Sequence, residues 1–386
     1  MSSNRPTTMG SAASADTVLP ADAVDTISSV SWSPVANHLA AASWDGKVRI
    51  YDVASGPSAR AAAMLTMDSP VLSCDWAKDG TMVLAGGAAK QPHLLHLATG
   101  QQAAIGSHDA PIRSVRFLDT AALGASSPAH LFATGSWDKT VKYWDLRQPG
   151  DRPLATLACA DRVYAMDTKS SLLVIATAER HIHLVDLRNP SVFLRTTQSP
   201  LKHQTRAVSV FPDGRGWATA SIEGRCGINA ADDKSDGKSI NFTFRCHRSA
   251  PDIKKTTKVY TVNDVQFHPV HATTFATAGS DGTFHFWDRV SHTRYKAYEP
   301  PAAVLSAVPA TTANNRAANG TAKGSGGSDS ARAAIMTTAF NRDGSFFAYA
   351  VGYDWSKGHA VNSPEYPNRL VLHSVTDEDA SPRGRK

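Results

Sequence analysis

His181 and His183 in "HIH", and His268 and His271 in "HPVH", are the first residues of this chain with the types and spacing to do chemistry. On a strand, positions 181 and 183 share one face, so both imidazoles point the same way. That supplies two metal ligands, where a zinc site needs three or four. The second pair sits in a turn between strands rather than on one helical face, so it is not the helical metalloprotease motif. Cys74, Cys159, Cys226 and Cys246 stand far apart with no C-x-x-C. This argues against a zinc module or a disulfide framework and fits a reducing compartment. The chain has no glycine loop ending in Lys-Ser/Thr, no G-x-S-x-G and no carboxylate pair placed for acid–base work. No catalysis, cofactor or metal is expected.

Binding chemistry is better represented. Residues 240–258, "INFTFRCHRSAPDIKKTTK", interleave Phe242 and Phe244 with Arg245, Arg248, Lys254, Lys255 and Lys258, against the single acid Asp252. Rings that stack on bases, beside cations that neutralise phosphates, suit a nucleic acid or an acidic peptide. The plainer alternative is an edge strand followed by a solvated loop. The whole chain leans the same way: 386 residues with a formal charge of +6, a modest excess that permits an acidic partner without demanding one. At 42% hydrophobic and 19% charged it is ordinary globular material, enough for two average domains or one large closed one. "MSSNRPTTMGSAASAD" at the start lacks the apolar core of a secretory signal, and no run reaches the roughly 18 apolar residues of a membrane span, so no membrane insertion is expected.

These residues need a scaffold, and the scaffold is written as a repeat. "ASWDGKVRIYD" (42–52), "ATGSWDKTVKYWDLR" (133–147) and "GSDGTFHFWD" (279–288) each place two aspartates seven residues apart: Asp45 and Asp52, Asp138 and Asp145, Asp281 and Asp288. Within each, apolar and polar residues alternate with period two, as in a strand, and the preceding "DG" or "DK" marks a hairpin turn. Weaker copies fill 69–97, 162–188, 206–229 and 335–375, making seven units. The unit ends 52, 96, 145, 186 and 229 lie 41 to 49 apart, close to the 40–45 period of a WD repeat. An all-β, seven-bladed WD-repeat β-propeller follows, its ring closed by an N-terminal strand near residues 16–20. Trp144 is expected to pack between blades, Asp138 to fix a turn, and His108 to occupy the turn-histidine position. The expected boundaries are a disordered tail at 1–15, a propeller at 16–375 with a disordered low-complexity insert at 306–333, and a polar tail at 376–386.

"SIEGRCGI" (221–228), "NFTFRCHR" (241–248), "VNDVQFHPVHATTFATAGSDGTFHFWD" (262–288) and "YDWSKGH" (353–359) go beyond a generic propeller. Together they resemble the nuclear-pore mRNA export factor family of seven-bladed WD-repeat proteins, over about residues 16–375. The first and third also resemble the related mitotic checkpoint propeller. The resemblance implies an adaptor that grips a GLEBS segment, a short acidic-flanked hairpin of a phenylalanine-glycine nucleoporin, and contacts RNA or messenger ribonucleoprotein through a basic groove. It implies a monomer in a heterodimeric complex, at the nuclear pore and shuttling to the cytoplasm. The checkpoint relative implies the alternative, a spindle-checkpoint propeller binding GLEBS-like motifs of kinetochore kinases. Carried over residue by residue, Arg225 with Glu223 would hold the GLEBS carboxylate. Phe244, Trp287 and Arg289 would form the rim of the family's groove; Arg245, Arg248, Lys254, Lys255 and Lys258 of the basic segment, with Trp355 and Lys357, are expected to extend it. Arg225 as a turn-pairing arginine of its own blade, and Trp287 as a packing residue, are the structural alternatives. The sequence departs from the family pattern at Ala360, at Asn229-Ala230 and in the length of the 306–333 insert.

Overall fold

Among the described residues, short alternating segments separated by tight turns give 28 strands in seven four-stranded antiparallel sheets. The computed structural model describes residues 16–20, 22–53, 59–121, 130–148, 152–232, 240–306, 333–356, 358–362 and 366–381. The tail at 1–15 and all but the ends of the 306–333 insert lie outside them.

Strand β1 (Thr17–Val18) comes first. Blade 1 follows as β2 (Ile27–Trp32), β3 (His38–Ser43), β4 (Lys47–Asp52) and β5 (Arg60–Thr66). Blade 2 is β6 (Val71–Trp76), β7 (Met82–Gly87), β8 (His93–His96) and β9 (Gln102–Ala104). Blade 3 is β10 (Ile112–Phe117), β11 (Leu131–Ser136), β12 (Thr140–Asp145) and β13 (Ala155–Ala158). Blade 4 is β14 (Val163–Lys169), β15 (Leu172–Thr177), β16 (His181–Asp186) and β17 (Arg195–Gln198). Blade 5 is β18 (Thr205–Val210), β19 (Gly216–Ser221), β20 (Arg225–Ala230) and β21 (Phe242–Arg245). Blade 6 is β22 (Val262–Phe267), β23 (Thr274–Gly279), β24 (Phe284–Asp288) and β25 (Thr293–Tyr298). Blade 7 is β26 (Ala334–Phe340), β27 (Phe346–Gly352) and β28 (Arg369–Ser374), with β1 as its outer strand.

Each blade's first strand lies against the first strands of its neighbours, so these seven line an axial channel. The core sits between blades: Ala40, Val48 and Ile50 of blade 1, for example, pack on Val71, Cys74 and Trp76 of blade 2. Turns between second and third strands, and the links between blades, share one face, called upper here. All seven innermost strands carry the same irregularity: the second residue of the repeat is skipped in the register with its neighbour. The skipped residues, Ser28, Leu72, Arg113, Tyr164, Arg206, Asn263 and Met336, line the channel near its upper mouth. A bulge leaves one residue unpaired and re-aims its side chain.

Two blades carry a complete polar ladder behind the turn aspartate. In blade 3, His108 Nδ1 meets Asp138 at 2.7 Å and its Nε2 meets the Thr134 hydroxyl at 2.7 Å, which also accepts from Trp144 Nε1 at 2.8 Å. In blade 6, His247 bonds Asp281 at 2.9 Å and Thr277 at 2.9 Å, and Trp287 Nε1 donates to Thr277 at 2.9 Å. Burial lowers the His108 pKa even though Asp138 favours the charged form. Gly106, at φ +59°, precedes that histidine, and a Cβ there would meet the Trp144 ring at 2.1 Å, so only glycine fits the close approach. Trp144 is 2% exposed, packed as the repeat implied.

The innermost strands are also cross-linked by carboxylates supplied by alternate blades, 2, 4 and 6. Asp75 of blade 2 accepts from Phe117 N at 2.8 Å in blade 3, Asp167 of blade 4 from Val210 N at 2.8 Å in blade 5, and Asp264 of blade 6 from Thr338 N at 2.6 Å in blade 7. The ring closes at β1, where Thr17 pairs with Leu372 and Val18 with Val371. Asp16 anchors it, accepting from the Tyr349 hydroxyl at 2.5 Å and facing His373 Nδ1 at 2.6 Å.

The segment read as a polar tail begins by docking. Helix α1 (Ala302–Leu305) follows blade 6, and α2 (Asp377–Ala380) starts at a Thr376 capping box. Asp379 takes Lys296 Nζ at 2.7 Å, and the Ala380 carbonyl accepts Thr274 Oγ1 at 2.6 Å. Burial opposes ionisation of Asp379, but hydrogen bonds from Lys296 and Thr376 outweigh it and hold its pKa at about 2.

Candidate binding face

The turn Ser221–Arg225 opens onto the upper face at blade 5. Gly224 has φ +62°, and a Cβ there would meet the Cys246 carbonyl at 2.8 Å, so the "EGR" turn depends on glycine. The turn places Glu223 and Arg225 side by side: Arg225 Nε lies 4.0 Å from the Glu223 carboxylate. Glu223 is also shared with Lys202 N at 3.2 Å and His203 at 3.7 Å. Arg225 is therefore only loosely held, with its side chain 30% exposed. Across the sheet its backbone partner is Arg245, an exposed residue at the upper end of β21.

Arg248 does a different job. Its Nη2 donates to the Glu223 carbonyl at 2.8 Å and its Nε to the Gly224 carbonyl at 3.3 Å, clamping the turn from the blade 5–6 link. That link is an ordered hairpin. Ser249 N donates to Lys258 O at 3.0 Å, Lys255 N to Asp252 O at 2.9 Å, and Asp252 Oδ1 accepts Thr256 N at 2.7 Å. Lys254, Lys255 and Lys258 are exposed on it, and Ile253 at its tip is fully exposed. Asp252, the single acid of the segment, shapes the hairpin through its bonds to backbone N–H groups.

Phe244 and Trp287 do come together, with ring centroids 4.7 Å apart on the flank between blades 5 and 6. Phe242 extends the cluster by stacking on His292 at 3.8 Å. The Trp287 indole N–H is already spent on Thr277, so the tryptophan serves the blade's ladder while its half-buried ring forms one wall of the flank. Arg289 does not join that rim. It follows β24 onto the lower side, where Nε donates to Ala272 O at 3.2 Å, Nη2 lies 3.6 Å from Asp213, and its Cζ lies 4.5 Å from the centre of the Phe211 ring. Lys357 lies outside the described residues.

Trp355 belongs to the upper face but sits at blades 7 and 1, its ring stacked on Trp44 at 4.6 Å. Trp44 and Trp137 were not singled out by sequence reasoning. Both precede the turn aspartate, in "SWDG" and "SWDK", and Trp137 is 38% exposed. The visible signal was a tryptophan at the turn, where the repeat has no packing use for one. With Trp355 they rim the upper mouth of a channel of about 620 Å³. Burial drives His183 down to about 4 and keeps it neutral, with Nδ1 bonded to Thr196 at 2.9 Å, while the His181 ring lies 6.3 Å away. Among the described residues no group of three ligands could hold a metal ion, and no helix is long and apolar enough to cross a membrane.

The WD domain, G-beta repeat family model matches residues 17–52, 100–145 and 241–288. The chain is 48% identical to the WD40 repeat protein poxJ of Penicillium oxalicum over 93% of both chains. It is 43% identical to the mRNA export factor GLE2 of Chaetomium thermophilum, covering 93% of this chain and 90% of that one. It is 42% identical to the Poly(A)+ RNA export protein of Schizosaccharomyces pombe, covering 94% and 91%.

Proposed function

Since the chain belongs to the family of Gle2/Rae1-type WD-repeat mRNA export factors, we propose that it is a non-enzymatic export adaptor at the nuclear pore. Its upper face receives a GLEBS segment of a phenylalanine-glycine nucleoporin, and its basic hairpin meets RNA or messenger ribonucleoprotein. The observation that carries this reading is the pairing, on one face, of tryptophan rings with a loosely held arginine. Trp44, Trp137 and Trp355 supply apolar and aromatic area that costs little rotamer entropy to order. Arg225 supplies a fork that matches a carboxylate with two parallel hydrogen bonds, and its native contact to Glu223 at 4.0 Å is weak enough to be exchanged. Lys254, Lys255 and Lys258 extend from the same face, where exposed cations speed encounter with an acidic segment and neutralise phosphates. The adaptor works as a monomer joined to one nucleoporin, moving between pore and cytoplasm with its cargo.

Affinity capture from nuclear extract tests this. Recovery of a GLEBS-bearing nucleoporin with poly(A) RNA is the expected result. Recovery of kinetochore kinases in its place would move the protein to the checkpoint branch.

A further inference from the structure

The seven bulged residues at the channel mouth include two cations and no acid. In blade 3 the bulge carries Arg113, in blade 5 Arg206, and Tyr164 of blade 4 stands between them. Arg113 Nη1 donates to the Leu72 carbonyl at 3.2 Å. The Arg206 side chain makes no hydrogen bond or ion pair among the described residues. One step deeper, Arg116 is treated differently: its Nε lies 3.4 Å from Asp167, and Asp75 also favours its charge. The acid that both upper arginines feel, Asp264, forms no ion pair with either among the described residues, its oxygens being occupied by neutral donors. Its Oδ2 takes Thr338 N at 2.6 Å and the Thr337 and Thr338 hydroxyls at 3.3 Å, and its Oδ1 takes Val265 N at 2.8 Å. Asp354, which also acts on Arg206, accepts Ser356 N at 3.0 Å and its hydroxyl at 2.6 Å. Enclosure by the channel wall, followed by repulsion from Arg206 and Arg116, draws Arg113 down to about 10.

Two like charges facing the channel without a direct ion pair are costly unless something neutralises them. Two guanidinium forks need at least two pairs of acceptor oxygens, whereas one carboxylate offers a single pair in a single plane. A linked pair of phosphoryl groups offers several oxygens in different directions. We propose that the upper channel is a binding site for a small phosphate-class polyanion, held between Arg113 and Arg206. The volume of about 620 Å³ lies in the range of small-molecule sites. The ligand would approach past Trp44, Trp137 and Trp355, so its occupancy adds to, and does not depend on, the peptide reading of the upper face.

Calorimetry of the full chain with inorganic pyrophosphate, without divalent metal, tests the site. Saturable binding at one ion per chain is expected, with a melting temperature that climbs with the logarithm of pyrophosphate concentration. Arg113→Gln or Arg206→Gln should each weaken binding at least about tenfold, and R113K/R206K should weaken it less, because charge remains but the fork is lost. Unliganded Arg206→Gln should melt no lower than the parent, since an unshared enclosed charge has been removed. A lower melting temperature would mean that the charge is already satisfied and would count against the site. Absence of saturable binding at millimolar pyrophosphate would overturn the proposal. So would binding that survives R113Q/R206Q and disappears in K254E/K255E/K258E, since that would place the ion on the surface hairpin.

Discussion

Arg225 and Arg289 each stand beside an acid, and the fold uses them oppositely. Arg289 is tied to a carbonyl, a carboxylate and a phenyl ring, so its replacement acts through the packing of blades 5 and 6. Arg225 has one contact at 4.0 Å, so its removal should spare the fold and act on ligand. If a GLEBS carboxylate desolvates there, Arg225→Ala should cost about 2 kcal/mol of binding, roughly thirtyfold, and Arg225→Lys should recover only part. Calorimetry with a synthetic GLEBS peptide reads this directly, and parental affinity in a folded Arg225→Ala protein would remove the role assigned to it. Where such side chains end up was not legible in the sequence. Trp287 and Arg289 are neighbours in the chain, but the strand end between them sends one to the blade flank and the other to the lower side. Arg113 and Arg206 look like ordinary alternating positions until the bulge takes them out of register, and a bulge leaves no mark in a period-two pattern.

The blade 5–6 hairpin is an element whose charge is separable from its shape. Asp252 and Ser249 hold its backbone while Lys254, Lys255 and Lys258 point to solvent. K254E/K255E/K258E should therefore leave the circular dichroism spectrum unchanged and flatten the salt dependence of RNA binding, by roughly 0.7 in log–log slope for each phosphate that goes unneutralised. An identical slope before and after would make the hairpin a solvated surface only. The closing strand is the opposite case, two residues long and anchored by a nearly buried carboxylate. Asp16→Ala strands the Tyr349 hydroxyl and His373 without their acceptor, so stability should fall by about 1–3 kcal/mol; an unchanged melting curve would mean that closure does not rest on this carboxylate. Three strands per blade were legible because their buried faces enforce alternation, and so was the N-terminal donation of a fourth. The outer strands were not: β9, Gln102–Ala104, is exposed throughout, and nothing in "QAA" demands a sheet. The docking of α2 was hidden for another reason, since an acid as buried as Asp379 reads as solvated until its partner Lys296 arrives from 83 residues away.

Across the whole ring, acid sensitivity comes from histidines kept neutral. Burial takes His183 and His268 to about 4 and His285 to about 3, whereas in the unfolded chain each titrates near about 6.5. Below that value the unfolded state binds more protons than the folded one, so this contribution is complete above about pH 6.5 and drains away as pH falls toward about 4. The melting temperature should decline across that interval, and His285→Gln should make the decline shallower; a flat profile between pH 7 and 5 would contradict the assignment. The carboxylate cross-links span the interfaces of blades 2 with 3, 4 with 5, and 6 with 7; Asp75 also accepts from Ser31 Oγ of blade 1 at 3.1 Å and Asp167 faces Arg116 of blade 3 at 3.4 Å, so two carboxylates tie blades 1 to 5 in series, a third ties 6 to 7, and the closing strand completes the ring. That strand also sets a clock. Thr17 leaves the ribosome long before its partner, Leu372, has been made. At about 5–20 residues per second the nascent chain spends tens of seconds as an open crescent, with blade 7 unmade and the first blade's flank uncovered. A transcript truncated before β28 can therefore yield six finished blades and still no ring.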